Sequence, residues 1–400
     1  MYNNTITKKK FIGRRMDPIL KSNNFVVYKV VVFILFINSM YPWMTLQINT
    51  LLVSLFGFIF TFTFSFLNKN AFKKPSMSII SLLLILYLWV AAHSTFFGLI
   101  NQIFNFYIIK TIISLRLIYQ IELFKSITKW FSILLLVSMV FFILFYIGIP
   151  LTHTSLYFPE LNYTFENYYF FVYDSSELLP RFRSIFGEPG HLTQGLILLL
   201  VANQFNVKNR YVFILLLAQL LTFSLAGYIC MIVSYTMYTV FSDIKIKKLI
   251  IPSLILVVII YYLLNMSQDT FFYEIIGYRF DMDLASGRNE RVGYETQKIF
   301  ESFLNSSKVL WGLDSSTLAK IDGSGYKVYM MSYGIVGLLL TILFYWRYAL
   351  SAKCKYCFVI FVVWALEQYQ GAASLWFCVL IGFILGVNNI QYENSHELPQ

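Results

Sequence analysis

Charge is what this sequence has least of. Only 13% of its residues are Asp, Glu, Lys or Arg, against roughly 25% in a soluble domain, and 58% are hydrophobic. Such a chain has too few polar groups to cover a folded surface in water. Cysteine is scarce as well. Cys230, Cys354, Cys357 and Cys378 all fall outside the segments assigned below to the outer face, which excludes disulfide-stapled outer loops. Cys354-Lys-Tyr-Cys357 has CxxC spacing, but no second pair and no redox-fold pattern accompanies it, so it reads as plain thiols. No phosphate-binding GxxxxGK[ST] loop, GxSxG elbow or dinucleotide fingerprint is present. The nearest approach to a metal motif is Asp281-Met-Asp283, a weak match to the DxD pattern of metal-dependent glycosyltransferases. No small-residue cleavage pattern follows the first apolar run, so residues 1–24, basic through Lys8, Lys9, Lys10, Arg14 and Arg15, read as a cytosolic tail.

What fills the chain instead is apolar runs of about 18 to 20 residues, long enough to cross a ~30 Å hydrocarbon core as helices. Their length and continuity argue against a β-barrel, whose segments are about ten residues of alternating polarity. The expected fold is all-α: a polytopic helical membrane protein with about twelve transmembrane helices and two long outward loops. The plan places helices 1–5 in 25–149, the first loop in 150–189, helices 6–9 in 190–265, the second loop in 266–325, helices 10–12 in 326–387 and a polar tail in 388–400. Within it, a fourth span covers 103–121, Lys125 and Lys129 lie in the loop that follows, and Tyr211–Tyr238 holds two short spans turning near Ser224, Ala226 and Gly227. With the amino terminus in the cytosol, 19 of the 31 Lys and Arg fall in cytosolic segments and 9 face outward, against 15 of the 20 Asp and Glu. That is the positive-inside bias, so the net charge of +11 is a topology signal and not a nucleic-acid footprint. The 40 Phe and 29 Tyr read chiefly as lipid-facing and interfacial residues.

The stretch from Arg181 to His191 stands out. Arg181 and Arg183 come just before a span on the outer side, where interfacial snorkelling competes with anion binding. Gly187-Glu188-Pro189-Gly190 then forms a turn with Pro189 at the first helical position. Glu188 is there either a helix cap, favoured by the dipole, or a working carboxylate. His191, in the first turn, is an ionisable group at the membrane boundary and a candidate on that ground. In the second loop, Arg288 and Arg291 open an amphipathic helical pattern through Val292, Glu295, Ile299, Phe300, Phe303 and Leu304, read as lying on the outer surface. Cations suit a helix start poorly, and a bidentately held anion would explain them, with Arg279 close in sequence. Lys110, near the centre of the fourth span, is a candidate for an anionic lipid group. Arg116, about two turns on, either faces the bundle interior with it or snorkels to the cytosol.

These residues resemble the bacterial O-antigen polymerases (Wzy-type) and the related O-antigen ligase superfamily. The matching pieces are Arg183-Ser-Ile-Phe-Gly-Glu188-Pro189, Thr222-Phe-Ser224, Ser286-Gly287-Arg288, Leu310-Trp-Gly312 and Tyr333-Gly334-Ile-Val-Gly337. The resemblance implies an inner-membrane glycosyltransferase whose substrates are oligosaccharides carried on undecaprenyl pyrophosphate, with no nucleotide sugar and no cofactor. A chain-length regulator is a possible partner, and nucleic acid is not one. It implies that Arg183, Arg288 and Arg291, with Arg181, Arg279 and Lys110 in support, offset the charge developing on pyrophosphate. Glu188 first, or His191, takes the acceptor's proton, and no metal is needed. The rival readings are an O-antigen ligase, which shares the donor, and a lipid-linked glycan flippase.

Overall fold

In the computed structural model the described residues are 19, 22–40, 42–44, 49–158, 163–174, 181–241, 294–318, 321 and 326–351. They are mostly helical. The helices are α1 (Asn23–Asn38), α2 (Thr50–Leu67), α3 (Met77–Ala92), α4 (Phe96–Ser114), α5 (Leu117–Tyr146), α6 (Pro189–Ala202), α7 (Arg210–Leu221), α8 (Leu225–Phe241), α9 (Tyr294–Leu304), the single turn α10 (Ser315–Leu318) and α11 (Tyr326–Ser351). Three segments, Phe96–Ser114, Leu117–Tyr146 and Lys327–Phe344, are long and apolar enough to cross a membrane, and several shorter helices are as greasy. The expected ninth, eleventh and twelfth spans lie outside the described residues.

Where apolar side chains point fixes the solvent. On α2, Leu52, Phe56, Ile59, Phe62 and Phe66 are exposed, and on α5 Ile133, Leu136, Val140 and Ile143 are exposed. Each series steps by three or four residues, a continuous stripe along one helix face. In water such stripes would aggregate; against lipid tails they cost nothing. Polar groups turn inward and pair there: Ser54 Oγ donates to Asn105 Oδ1 at 3.3 Å, and Ser132 Oγ to the Tyr211 carbonyl at 2.9 Å. This is the arrangement of a membrane protein.

Two expectations about boundaries are corrected. The fourth span does not run through 103–121. It ends at Ser114, because Leu115 and Arg116 leave helical geometry to pair with the α2–α3 connection: Lys73 N–H donates to the Ser114 carbonyl at 2.7 Å and Arg116 N–H to that of Ala71 at 2.9 Å. The helix then restarts, and Lys125 and Lys129 lie within α5, not in a loop. Lys69, Lys73, Lys74 and Arg116 thereby gather at one end of the bundle.

The opposite end carries the α1–α2 turn, the α3–α4 turn and the first loop, which is built on strands β1 (Thr154–Phe158), β2 (Tyr163–Asn167) and β3 (Val172–Tyr173) in one antiparallel sheet. Thr154 pairs with Asn167 and Phe158 with Tyr163. Tyr168 and Phe171 stack at 4.7 Å between ring centroids beside Phe145 of α5, which seats the loop on the bundle. α9 is amphipathic as expected, and part of its apolar face packs within the protein while Leu304 is exposed. Phe300 and Phe303 are buried with Leu313 and Met331 of α11.

α6 differs from every neighbour. Leu192 through Ala202 are all buried, as are Pro189 and His191, so the helix is enclosed on all sides by α7, α8 and the rest of the bundle. It is the axis on which the first residue cluster below is mounted.

Candidate functional site

The stretch before α6 is fastened by its backbone to separate elements. Phe182 N–H donates to the Leu221 carbonyl at the end of α7 at 3.1 Å. The Ser184 carbonyl accepts from Val172 N–H of β3 at 2.9 Å, and that of Ile185 from Trp43 N–H in the α1–α2 turn at 2.8 Å. Phe186 forms a bridge with Pro42. Ser184 sits at φ 51°, left-handed backbone that costs a non-glycine residue roughly 1–2 kcal/mol. Its hydroxyl lies 2.7 Å from that of Ser138 on α5, one of the contacts that hold it there. Such a turn is shaped from outside, by contacts to α5, α7, β3 and the α1–α2 turn.

Within this frame the two arginines part ways. Arg183 is 3% exposed. Its Nη1 donates to the Gly187 carbonyl at 2.9 Å, Nη2 lies 3.8 Å from Asp174 Oδ2, and the guanidinium sits 5.7 Å from the Phe165 ring centre. It ties the turn to the sheet of the first loop. Arg181 is half-buried at the rim. Glu188 occupies the position before the first residue of α6, with φ −132° and ψ 147°, but makes no capping hydrogen bond. Pro189 at the first helical position starts the helix without one. The Glu188 side chain is exposed, and its charge is felt at His191, which is buried inside the first turn. The pair therefore sets an outward carboxylate above a buried imidazole.

Behind them lies a polar layer of which sequence reasoning singled out only Thr222 and Ser224. Thr193 and Gln194 of α6, Gln219 and Thr222 at the end of α7, and Ser224 before α8 are all buried. Gly227 is what lets the three helices meet: a Cβ there would stand 2.6 Å from Gln219 Nε2 and 2.6 Å from Thr193 Cγ2. The signal was available, since Gln194 and Gln219 interrupt apolar helices, and polar side chains at such positions face the bundle interior.

A second cluster joins two of the short motifs noted above. Gly312 and Gly334 have φ of 95° and 69°, and the backbones that carry them touch. A Cβ on Gly334 would be 2.1 Å from the Leu310 carbonyl oxygen, and one on Gly312 would be 2.6 Å from that of Ser332. Leu313 N–H donates to the Met331 carbonyl at 2.7 Å, and Trp89 Nε1 to that of Tyr333 at 2.9 Å. Gly334 breaks α11, with ψ 179° inside it. Trp311 remains 58% exposed beside Trp89, their rings 5.5 Å apart. Next to this cluster, a cleft of about 410 Å³ is lined by Lys298, Ser302, Phe303, Ser306, Lys308 and Thr317. Lys308 is already paired with Asp314 at 2.7 Å.

The structure thus brings Arg181, Arg183, Glu188 and His191 into one short segment. It places Lys110 elsewhere: the residue is a turn from Ser114, at the end where α4 meets Lys73. Arg279, Arg288, Arg291, Asp281 and Asp283 lie outside the described residues. No protein-family model matches the chain, and neither does a curated protein or a solved structure.

Proposed function

We propose that the protein is a polysaccharide repeat-unit polymerase of the inner membrane. In this reading it moves a growing glycan from undecaprenyl pyrophosphate onto the sugar of a second lipid-linked repeat unit at the periplasmic face. The observation that carries the reading is the placement of Glu188: an exposed carboxylate, engaged in no helix cap, on a turn held rigid by its neighbours at the mouth of a buried helix. A carboxylate so held is preorganised for proton transfer. The acceptor hydroxyl attacks the anomeric carbon, the bond from that carbon to the pyrophosphate oxygen breaks, and Glu188 takes the hydroxyl proton. Undecaprenyl pyrophosphate leaves.

Cations must meet the charge that develops on the leaving group. Arg181, half-exposed on the same turn, is one. Arg279, Arg288 and Arg291 are proposed to complete the set. Arg183, buried against Gly187 and Asp174, acts in this reading by holding the turn. With guanidinium groups carrying the charge, the chemistry runs without a metal. The short motifs of the resemblance support the assignment, because two of them pack together in one cluster and the residues just before two others, at 183–189 and 222–224, are joined by the Phe182–Leu221 hydrogen bond.

The test is reconstitution. Purified protein given undecaprenyl-pyrophosphate-linked repeat units, with no lipid A core present, is expected to produce a ladder of lengthening glycans. Product formed only after lipid A core is added would identify a ligase. Movement of the lipid-linked unit across a proteoliposome with no ladder would identify a transporter.

A further inference from the structure

Both ring nitrogens of His93 face carbonyl oxygens. Nδ1 lies 2.8 Å from the carbonyl oxygen of Trp89, a turn back on α3, and Nε2 is within hydrogen-bond distance of that of Trp311. Carbonyl oxygens only accept. A neutral imidazole carries one N–H and one lone pair, so either tautomer satisfies one carbonyl and turns its lone pair on the other. The imidazolium ion alone donates to both.

His93 caps the carboxyl end of α3, where the last carbonyls carry partial negative charge. Its ring lies 5.2 Å from that of Trp89 and 5.9 Å from that of Tyr333. Among the described residues, the titratable group facing it from α11 is the Tyr333 phenol. The connection that holds Trp311 contributes Lys308 and Asp314, which pair with each other at 2.7 Å. The first turn of α4 contains no acidic residue.

We propose that His93 is a proton-operated latch. Doubly protonated, it fastens Leu310–Gly312 to the end of α3. On losing a proton it releases one of the two carbonyls. The fastened segment is the one whose backbone lies against Gly334, so the latch sets how firmly the connection between α9 and α11 is docked on the bundle. The sign follows from proton linkage. Docking is stronger with the extra proton bound, so lower pH favours the docked arrangement and higher pH loosens it. The inference uses no assumption about the reaction catalysed.

Hydrogen exchange on the full-length protein in nanodiscs tests it. The amides of Trp311 and Gly312 donate to the Lys308 carbonyl, and that of Leu313 to Met331, so peptides covering 309–314 report docking. After correction for intrinsic exchange rates, protection in the wild type is expected to be about tenfold greater near pH 5.5 than near pH 8, the effect of one charge-assisted hydrogen bond. His93→Gln is expected to show weak protection at both pH values, and His93→Arg strong protection at both. Equal wild-type protection at the two pH values would overturn the latch. So would a His93→Gln variant that keeps the wild-type pH dependence.

Discussion

Arg183 and Glu188 belong to one turn, yet they meet opposite environments, and the difference decides what each substitution does. Arg183 is buried, and its removal leaves the Gly187 carbonyl and Asp174 without their cation. Breaking a buried charge pair from one side costs roughly 3 kcal/mol or more. Arg183→Ala is therefore expected to lower the melting temperature in detergent and the amount of protein in the membrane, with Arg183→Lys intermediate, as thermal shift and quantitative immunoblotting would record. Glu188 is exposed and makes no capping hydrogen bond, so Glu188→Gln should leave the melting temperature within about one degree of wild type. The sequence showed both residues as candidates but could not separate them. Exposure on a turn depends on what packs beside it, and here that is the nearby β3 strand and Trp43, which is distant in the chain.

At the scale of elements, glycine sets the close approaches. Gly227→Ala would press a methyl group into Gln219 and Thr193, an overpacking cost of about 1–3 kcal/mol. Gly334→Ala should be worse, because it adds left-handed backbone strain to a clash with the Leu310 carbonyl itself, which no side-chain rotation relieves. The expected order of melting temperatures is wild type, Gly227→Ala, Gly334→Ala, and a Gly334→Ala protein as stable as wild type would refute the backbone contact. Much of this level was legible in the sequence. The tight turn between α7 and α8 was announced by Ser224 and Gly227, and the start of α6 by Pro189. The β-sheet of the first loop was legible in its aromatic-bearing runs at 154–158 and 163–167, although no strand was expected there. The break between α4 and α5 was not. Leu115-Arg116-Leu117 contains no glycine or proline, and the chain bends there because its backbone pairs with Ala71 and Lys73, a tertiary cause with no local mark.

For the whole molecule, the lipid-facing residues expected from composition are present as exposed apolar stripes along α2 and α5, and the pairing of Arg116 with the α2–α3 connection adds a cluster of Lys69, Lys73, Lys74 and Arg116 at one bundle end. If that cluster faces the cytosol, the turn at His93–Thr95 and the Arg181–His191 stretch face out. A membrane-impermeant maleimide should then label Phe97→Cys but not Lys74→Cys in cells whose outer membrane has been permeabilised, both positions being exposed. The reverse pattern would put the site in the cytosol and remove the substrate proposed for it.

The most direct measurement is glycan extension by purified Glu188→Gln protein supplied with lipid-linked repeat units. The account expects no ladder from a protein that melts at the wild-type temperature. A wild-type ladder from Glu188→Gln would contradict it.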